Sequence, residues 1–213
     1  METTYIKYLA GVISESQYYN LCEAAQDEAE EFLGQGFTTK VPEVLAVLQK
    51  YQVPFDAWGG PQANDSTAKM TKAVEGAPTG TIQASEIPGL SNFTNMPGDK
   101  GALAAIMKFK QENPQSTPQD PAMRQAYVDA MKVRDEAEGR TRGYGDVGFN
   151  FDNVLKGSYE PPVVFVAGGK KIVIGGRTRI YAALIQNAPI RVKELSERDI
   201  AQAFPQAPAA GQS

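Results

Sequence analysis

Lys170 to Leu184 reads KKIVIGGRTRIYAAL. An apolar run, Ile172 to Ile174, meets two glycines, Gly175 and Gly176. Two arginines follow, Arg177 and Arg179, and then residues with helical spacing: Ile180, Tyr181, Ala183 and Leu184. Glycines at a strand-to-helix joint mark a sharp turn or a body lying close to the backbone. Arginines at the same joint point to an anion as that body. The elements on either side give the joint a context. Val163–Val166 is a second apolar run, and Ala167-Gly168-Gly169-Lys170 is turn-like, so residues 163–166 and 171–174 are expected to form a hairpin. Ile180–Gln186 should pack on it as a helix closed by Asn187. Ile190–Lys193 reads as a third strand, and Ser196 caps a last helix through Phe204. Upstream, Phe149, Val154 and Leu155 share a short helix ending at Gly157, and Glu160-Pro161-Pro162 leads into the first strand.

This order resembles the ParB N-terminal domain/sulfiredoxin-like family over about residues 149–198, roughly a quarter of the chain. The motif that carries the likeness is Gly176-Arg177-Thr178-Arg179 followed by Tyr181-Ala182-Ala183, which matches the family's Gly-x-x-Arg at the end of a strand. The resemblance implies a small mixed sheet and contact between the motif arginine, here Arg179, and a nucleotide phosphate. A nucleoside triphosphate is then the candidate cofactor. The chain departs from the family in two ways. Where sulfiredoxins carry a catalytic cysteine it has Arg177. Where ParB partition proteins have a second arginine after the glycine it has Thr178, and only a short tail follows the module. Sulfiredoxin chemistry and ParB DNA readout are therefore not carried over. The likeness is nearer to stand-alone ParB-like proteins of phages and mobile elements.

The residue chemistry points to an anion site on its own terms. A helix starting near Arg177 offers unpaired N–H groups and the positive end of its dipole. Gly175 and Gly176 let an oxyanion approach the backbone. Arg179 in the first turn can present a two-pronged contact to phosphate. The candidate phosphate- or nucleotide-binding set is Gly175, Gly176, Arg177, Thr178, Arg179 and Lys171, with Arg179 as the main contact. The competing reading leaves Arg177 and Arg179 solvated or makes them partners of structural ion pairs.

Composition bounds the rest. The chain has 213 residues, 42% hydrophobic and 22% charged, with net charge −4. Glu160 to Lys193 holds six cations against one carboxylate, a net +5, which leaves −9 elsewhere. A basic module in an acidic chain fits local anion binding better than general attraction to nucleic acid. There is no histidine, which excludes Ser-His-Asp and Cys-His catalysis and His-ligated zinc. The single cysteine, Cys22, allows no disulfide within the chain. Carboxylates near the motif are few (Asp146, Asp152 and Glu160), so no metal site is assigned. The N-terminus lacks a signal-peptide pattern and no run approaches the ~20 apolar residues of a membrane helix, so the expected location is a host-cell cytoplasm or a virion.

The expected fold class is α+β, with the ParB/sulfiredoxin-like module behind a mostly helical extension and a long irregular arm. Residues 1–53 form a helical segment, opened by the capping box Ser14-Glu15-Ser16-Gln17. Residues 54–98, with five prolines and six glycines, read as an extended arm laid on a protein partner or a second copy through Trp58, Leu90 and Phe93. Residues 99–148 hold two helices and a basic loop, and the Met123, Tyr127, Met131 stripe reads as a packing face. Residues 149–204 are the module and 205–213 a tail. Two functions of different class follow: a phosphate-binding protein acting on nucleotide or nucleic acid, or a structural or assembly protein, as in a virion, that keeps the fold without catalysis.

Overall fold

The computed structural model describes residues 42–53, 65–94, 98–137, 139 and 144–205. The chain divides into two compact units, one made of residues 1–76 and 196–213 and the other of residues 77–195. The expectations for Ser14–Leu33, Cys22, Trp58, the loop at 140–143 and the tail beyond Pro205 lie outside the described residues.

In the first unit, α1 (Pro42–Lys50) and α2 (Asp65–Gly76) both pack against α7 (Glu197–Ala203). Ser196 and Asp199 form a capping box at the start of α7, with the Asp199 carboxylate accepting from the Ser196 N–H at 2.8 Å. Lys50 pairs with Glu197 at 2.7 Å on its surface.

The second unit carries the sheet, with strand order β1-β4-β2-β3. β2 (Val163–Ala167) and β3 (Lys170–Gly175) form the expected antiparallel hairpin, turned by Gly168 and Gly169 at positive φ. β4 (Ile190–Ser196) lies beside β2, the Lys193 N–H donating to the Pro162 carbonyl at 2.8 Å. β1 (Thr79–Ile82) pairs antiparallel with β4. Ser91 adds an isolated parallel bridge to Ile172 on the far edge.

Four helices build the core on this sheet: α3 (Asp99–Glu112), α4 (Pro121–Ala137), α5 (Tyr144–Lys156) and α6 (Arg177–Gln186). Residues 180–186 of α6 are all buried, and α3, α4 and α5 each pack against it. Its weak polar/apolar division follows from that central place. Removing Ile180, Tyr181, Leu184 and Ile185 from water stabilises the fold by about 1.5–3 kcal/mol each before entropic costs. Met123, Tyr127 and Met131 are buried in the same core, so the stripe is a packing face. The α+β class is as expected, and among the described residues no helix is long and apolar enough to cross a membrane.

The irregular arm is corrected. Residues 65–76 are the helix α2, residues 79–82 are β1, and residues 84–89 form a 3-10 helix. The prolines punctuate these elements without preventing them. The helix occupies a proline-free interval between Pro61 and Pro78 and ends at Gly76, while β1 is an edge strand, where a neighbouring proline does not interrupt a ladder. Two of the apolar anchors, Leu90 and Phe93, serve the chain's own core. Ile87 and Phe93 are fully buried, Leu90 packs against the core, and the Phe93 ring lies 4.6 Å from that of Tyr181. The assignment of Leu90 and Phe93 to a partner surface is therefore withdrawn.

On the surface of this unit, Arg124 grips Asp152 with two hydrogen bonds of 2.9 and 3.0 Å, joining α4 to α5 over Gly148, which leaves room for the guanidinium. The Arg124 hydrogen bond is the main cause holding the Asp152 carboxyl below its ordinary value, and burial opposes it. A depressed carboxyl contributes above the unfolded value, near 4, and that contribution is lost as pH falls through the lower folded value. The pair is partly exposed, so Asp152→Asn is expected to cost at most about 1 kcal/mol at pH 7 and less as the pH is lowered into the acid range. Urea unfolding of both proteins at pH 7 and in the acid range checks this.

Candidate functional site

The joint between β3 and α6 begins with a bulge. Val163 pairs with Gly175 but Val164 pairs with Val173, so Ile174 is an extra residue on β3. A bulge increases twist and redirects the strand end, here into the turn at Gly176. Gly176 has φ 75° and ψ 26°, the left-handed conformation, and is the N-cap of α6 without a side-chain cap. A Cβ at Gly176 would stand 2.8 Å from the Pro162 Cα and 2.9 Å from its Cβ. The glycine is thus required by backbone handedness and by Pro162, and the close body expected from the sequence is Pro162 itself. Gly175 has only ordinary contact with Val163.

Arg177, the first residue of α6, turns inward. Its Nη1 donates to Asp99 Oδ2 at 2.6 Å and to the Phe93 carbonyl at 3.2 Å. Arg134 Nε donates to Asp99 Oδ1 at 2.8 Å, and the Tyr181 hydroxyl reaches the same carboxylate at 3.1 Å. The Asp99 side chain is 0% exposed, that of Arg134 4% and that of Arg177 10%. This node joins the starts of α3 and α6 to α4. Burial lowers the Arg177 pKa and Arg134 adds to the lowering, while Asp99 opposes both. Burial first, and then the Asp99 charge, push the Tyr181 hydroxyl well above its ordinary value, so it stays a neutral donor. Arg177 Nη2 is buried without a hydrogen-bond partner. The assignment of Arg177 to an external anion is corrected: its anion is Asp99.

Arg179 sits differently. Its Nη1 donates to the Glu160 carbonyl, and its Nη2 lies 3.4 Å from Glu160 Oε2. The Arg179 side chain is 24% exposed and that of Glu160 83%. Thr178 is half-buried, with its carbonyl accepting from the Tyr127 hydroxyl at 3.0 Å. Lys171 is paired with Glu194 at 2.7 Å, and the Glu194 side chain lies across Gly80, where a Cβ would collide with it. At the other end of α6, Lys110 donates to the Leu184 carbonyl at 2.8 Å, and burial lowers its pKa.

The structure thus brings Gly176, Thr178 and Arg179 together at one helix end and commits Arg177 and Lys171 elsewhere. Sequence reasoning missed Asp99, Arg134 and Tyr181 as a polar node. A signal existed: Arg134 falls three residues after Met131 and continues the buried stripe, and Arg177 stands three and four residues before Ile180 and Tyr181. Among the described residues no three acidic, cysteine or histidine side chains are grouped to hold a metal ion. Comparison of the chain with protein-family models, with curated proteins and with solved structures gave no match.

Proposed function

We propose that the chain is a ParB-like phosphate-binding protein acting on nucleotide or nucleic acid, with Arg179 as its principal contact. The observation that carries this reading is the contrast between the motif's two arginines. Arg177 is locked in a buried ion pair, but Arg179 is held at an uncapped helix start by a peptide carbonyl and one exposed carboxylate. An exposed pair of that kind is weak and exchangeable. The first-turn N–H groups and the helix dipole favour an anion at the same end. Arg177 supports the site by anchoring the start of α6, and Lys171 enters only if it leaves Glu194.

A second reading, a structural or assembly protein, is favoured by a separate observation. Cations of the basic module have partners within the chain: Lys171 with Glu194, Arg177 with Asp99, Arg179 with Glu160, Arg191 with the Gly157 carbonyl, and Lys193 with the Ala77 carbonyl. Calorimetric titration with ATP, CTP, ADP and a short DNA, alongside light scattering, separates the two. A charge-assisted hydrogen bond is worth about 1.5–3 kcal/mol, so Arg179→Ala is expected to weaken phosphate-ligand binding about tenfold to a hundredfold. Arg179→Lys restores part of it, because one guanidinium can serve the Glu160 carbonyl and a ligand together and an ammonium does so less well. Absence of binding to every ligand, with a large assembly in solution, gives the second reading.

A further inference from the structure

Resting on the phosphate reading, one more role follows for a residue beside the site. Glu160 is placed by its own backbone. Pro162, buried, packs on Gly176, and its carbonyl accepts from Lys193, so the Glu160-Pro161-Pro162 segment is tied to the joint from both sides. That tie delivers the Glu160 carbonyl to Arg179 Nη1. Nη1 is then occupied by a carbonyl that the tied backbone holds in place. Nη2 faces a carboxylate on a freely exposed side chain, 83% exposed and at 3.4 Å. The two arms of one guanidinium therefore have different fates: one positions the side chain, the other is open to exchange.

We infer that Glu160 is the built-in competitor of this site, its carboxylate occupying Arg179 Nη2 until an anion replaces it. The contact sets a threshold. A ligand gains its own interaction with Arg179 only after breaking the internal one, and then sits close to the displaced negative charge. Both effects oppose binding, and both are screened by salt because the carboxylate is in water. The device holds Arg179 extended toward the ligand position in the empty state, at a modest cost in affinity.

The test titrates the full chain with inorganic phosphate, read by chemical shifts of the Gly176–Arg179 amides. Four proteins are compared: wild type, Glu160→Gln, Arg179→Ala and Asp152→Asn. The last removes the same charge at a distance. Exposed ion pairs are worth up to about 1 kcal/mol, so Glu160→Gln is expected to bind phosphate about twofold to fivefold more tightly than wild type. The gain should shrink at high salt, Asp152→Asn should match wild type, and Arg179→Ala should lose binding. Equal affinity of wild type and Glu160→Gln, both binding, overturns the competitor role and leaves the phosphate reading standing. An equal gain in Asp152→Asn overturns it too, since the effect is then one of overall charge. No shift of these amides in wild type or in Glu160→Gln overturns the phosphate reading, and the competitor role with it.

Discussion

Asp99→Ala is expected to lower the stability of the fold by about 3–5 kcal/mol, the range for removing one partner of a buried ion pair. The Asp99 carboxylate is fully buried and accepts from Arg134, Arg177 and Tyr181. Its removal leaves two guanidinium groups, 4% and 10% exposed, without their common anion. Neither reaches water without opening the junction of α3, α4 and α6. A domain stability of about 5–15 kcal/mol makes that a large fraction of the whole. Asp99→Asn should lose less, since the amide oxygen keeps one acceptor while the charge is gone. Urea unfolding of the three proteins at pH 7 decides it, and a loss under about 1 kcal/mol for Asp99→Ala would show that the node is not buried in solution. Replacing Asp99, Arg134 and Arg177 together by apolar residues of similar volume should recover most of the loss. Buried pairs repay little more than their own desolvation, so a well-packed apolar substitute is close to neutral.

The hairpin, the central helix and the last strand were legible in the sequence because each rests on local signals: apolar runs of strand length, paired glycines, and helical spacing after Arg177. The arm misled for a physical reason. Proline count measures where an element is interrupted, and residues 65–76 fit between interruptions. The partners of the motif arginines were illegible because Asp99 lies 78 residues from Arg177 and Glu160 19 from Arg179, and spacing along the chain says nothing of such meetings. What could have been read is the sign of the node. Arg134-Asp135 stands where Met123, Tyr127 and Met131 predict an inward position, and a charged residue continuing an apolar stripe requires a buried counter-charge. The basic surplus of residues 160–193 was real in number, but the fold spends much of it on internal carboxylates and carbonyls.

Gly176→Ala should cost about 2–4 kcal/mol, and two sources contribute. A non-glycine residue in the left-handed region costs about 1–2 kcal/mol. Forcing a methyl group against Pro162, 2.8 Å from its Cα, adds about 1–2 kcal/mol of the kind that overpacking produces. The strain has few outlets. Gly176 is held by the bulged end of β3 on one side and by α6, buried along residues 180–186, on the other. Pro162 is held by its hydrogen bond to Lys193. Pro162 is joined to Glu160 through Pro161 alone, so any shift it makes to admit the methyl group also displaces the carbonyl that positions Arg179. Gly176→Ala is therefore expected to weaken phosphate binding even at temperatures where it remains folded, and to do so without any ligand touching the Gly176 backbone. Gly175→Ala is the control. Gly175 is the other glycine of the pair, a Cβ there meets only ordinary contacts at 3.8 Å, and its φ is not positive. It should cost under about 1 kcal/mol, within the range of unstrained substitutions, and leave binding near wild type. If thermal unfolding shows the two variants equally stable, the left-handed turn is not the joint's conformation in solution. If Gly175→Ala alone abolishes binding, the ligand approaches the backbone at Gly175 and the site lies one residue nearer the sheet than Arg179 places it.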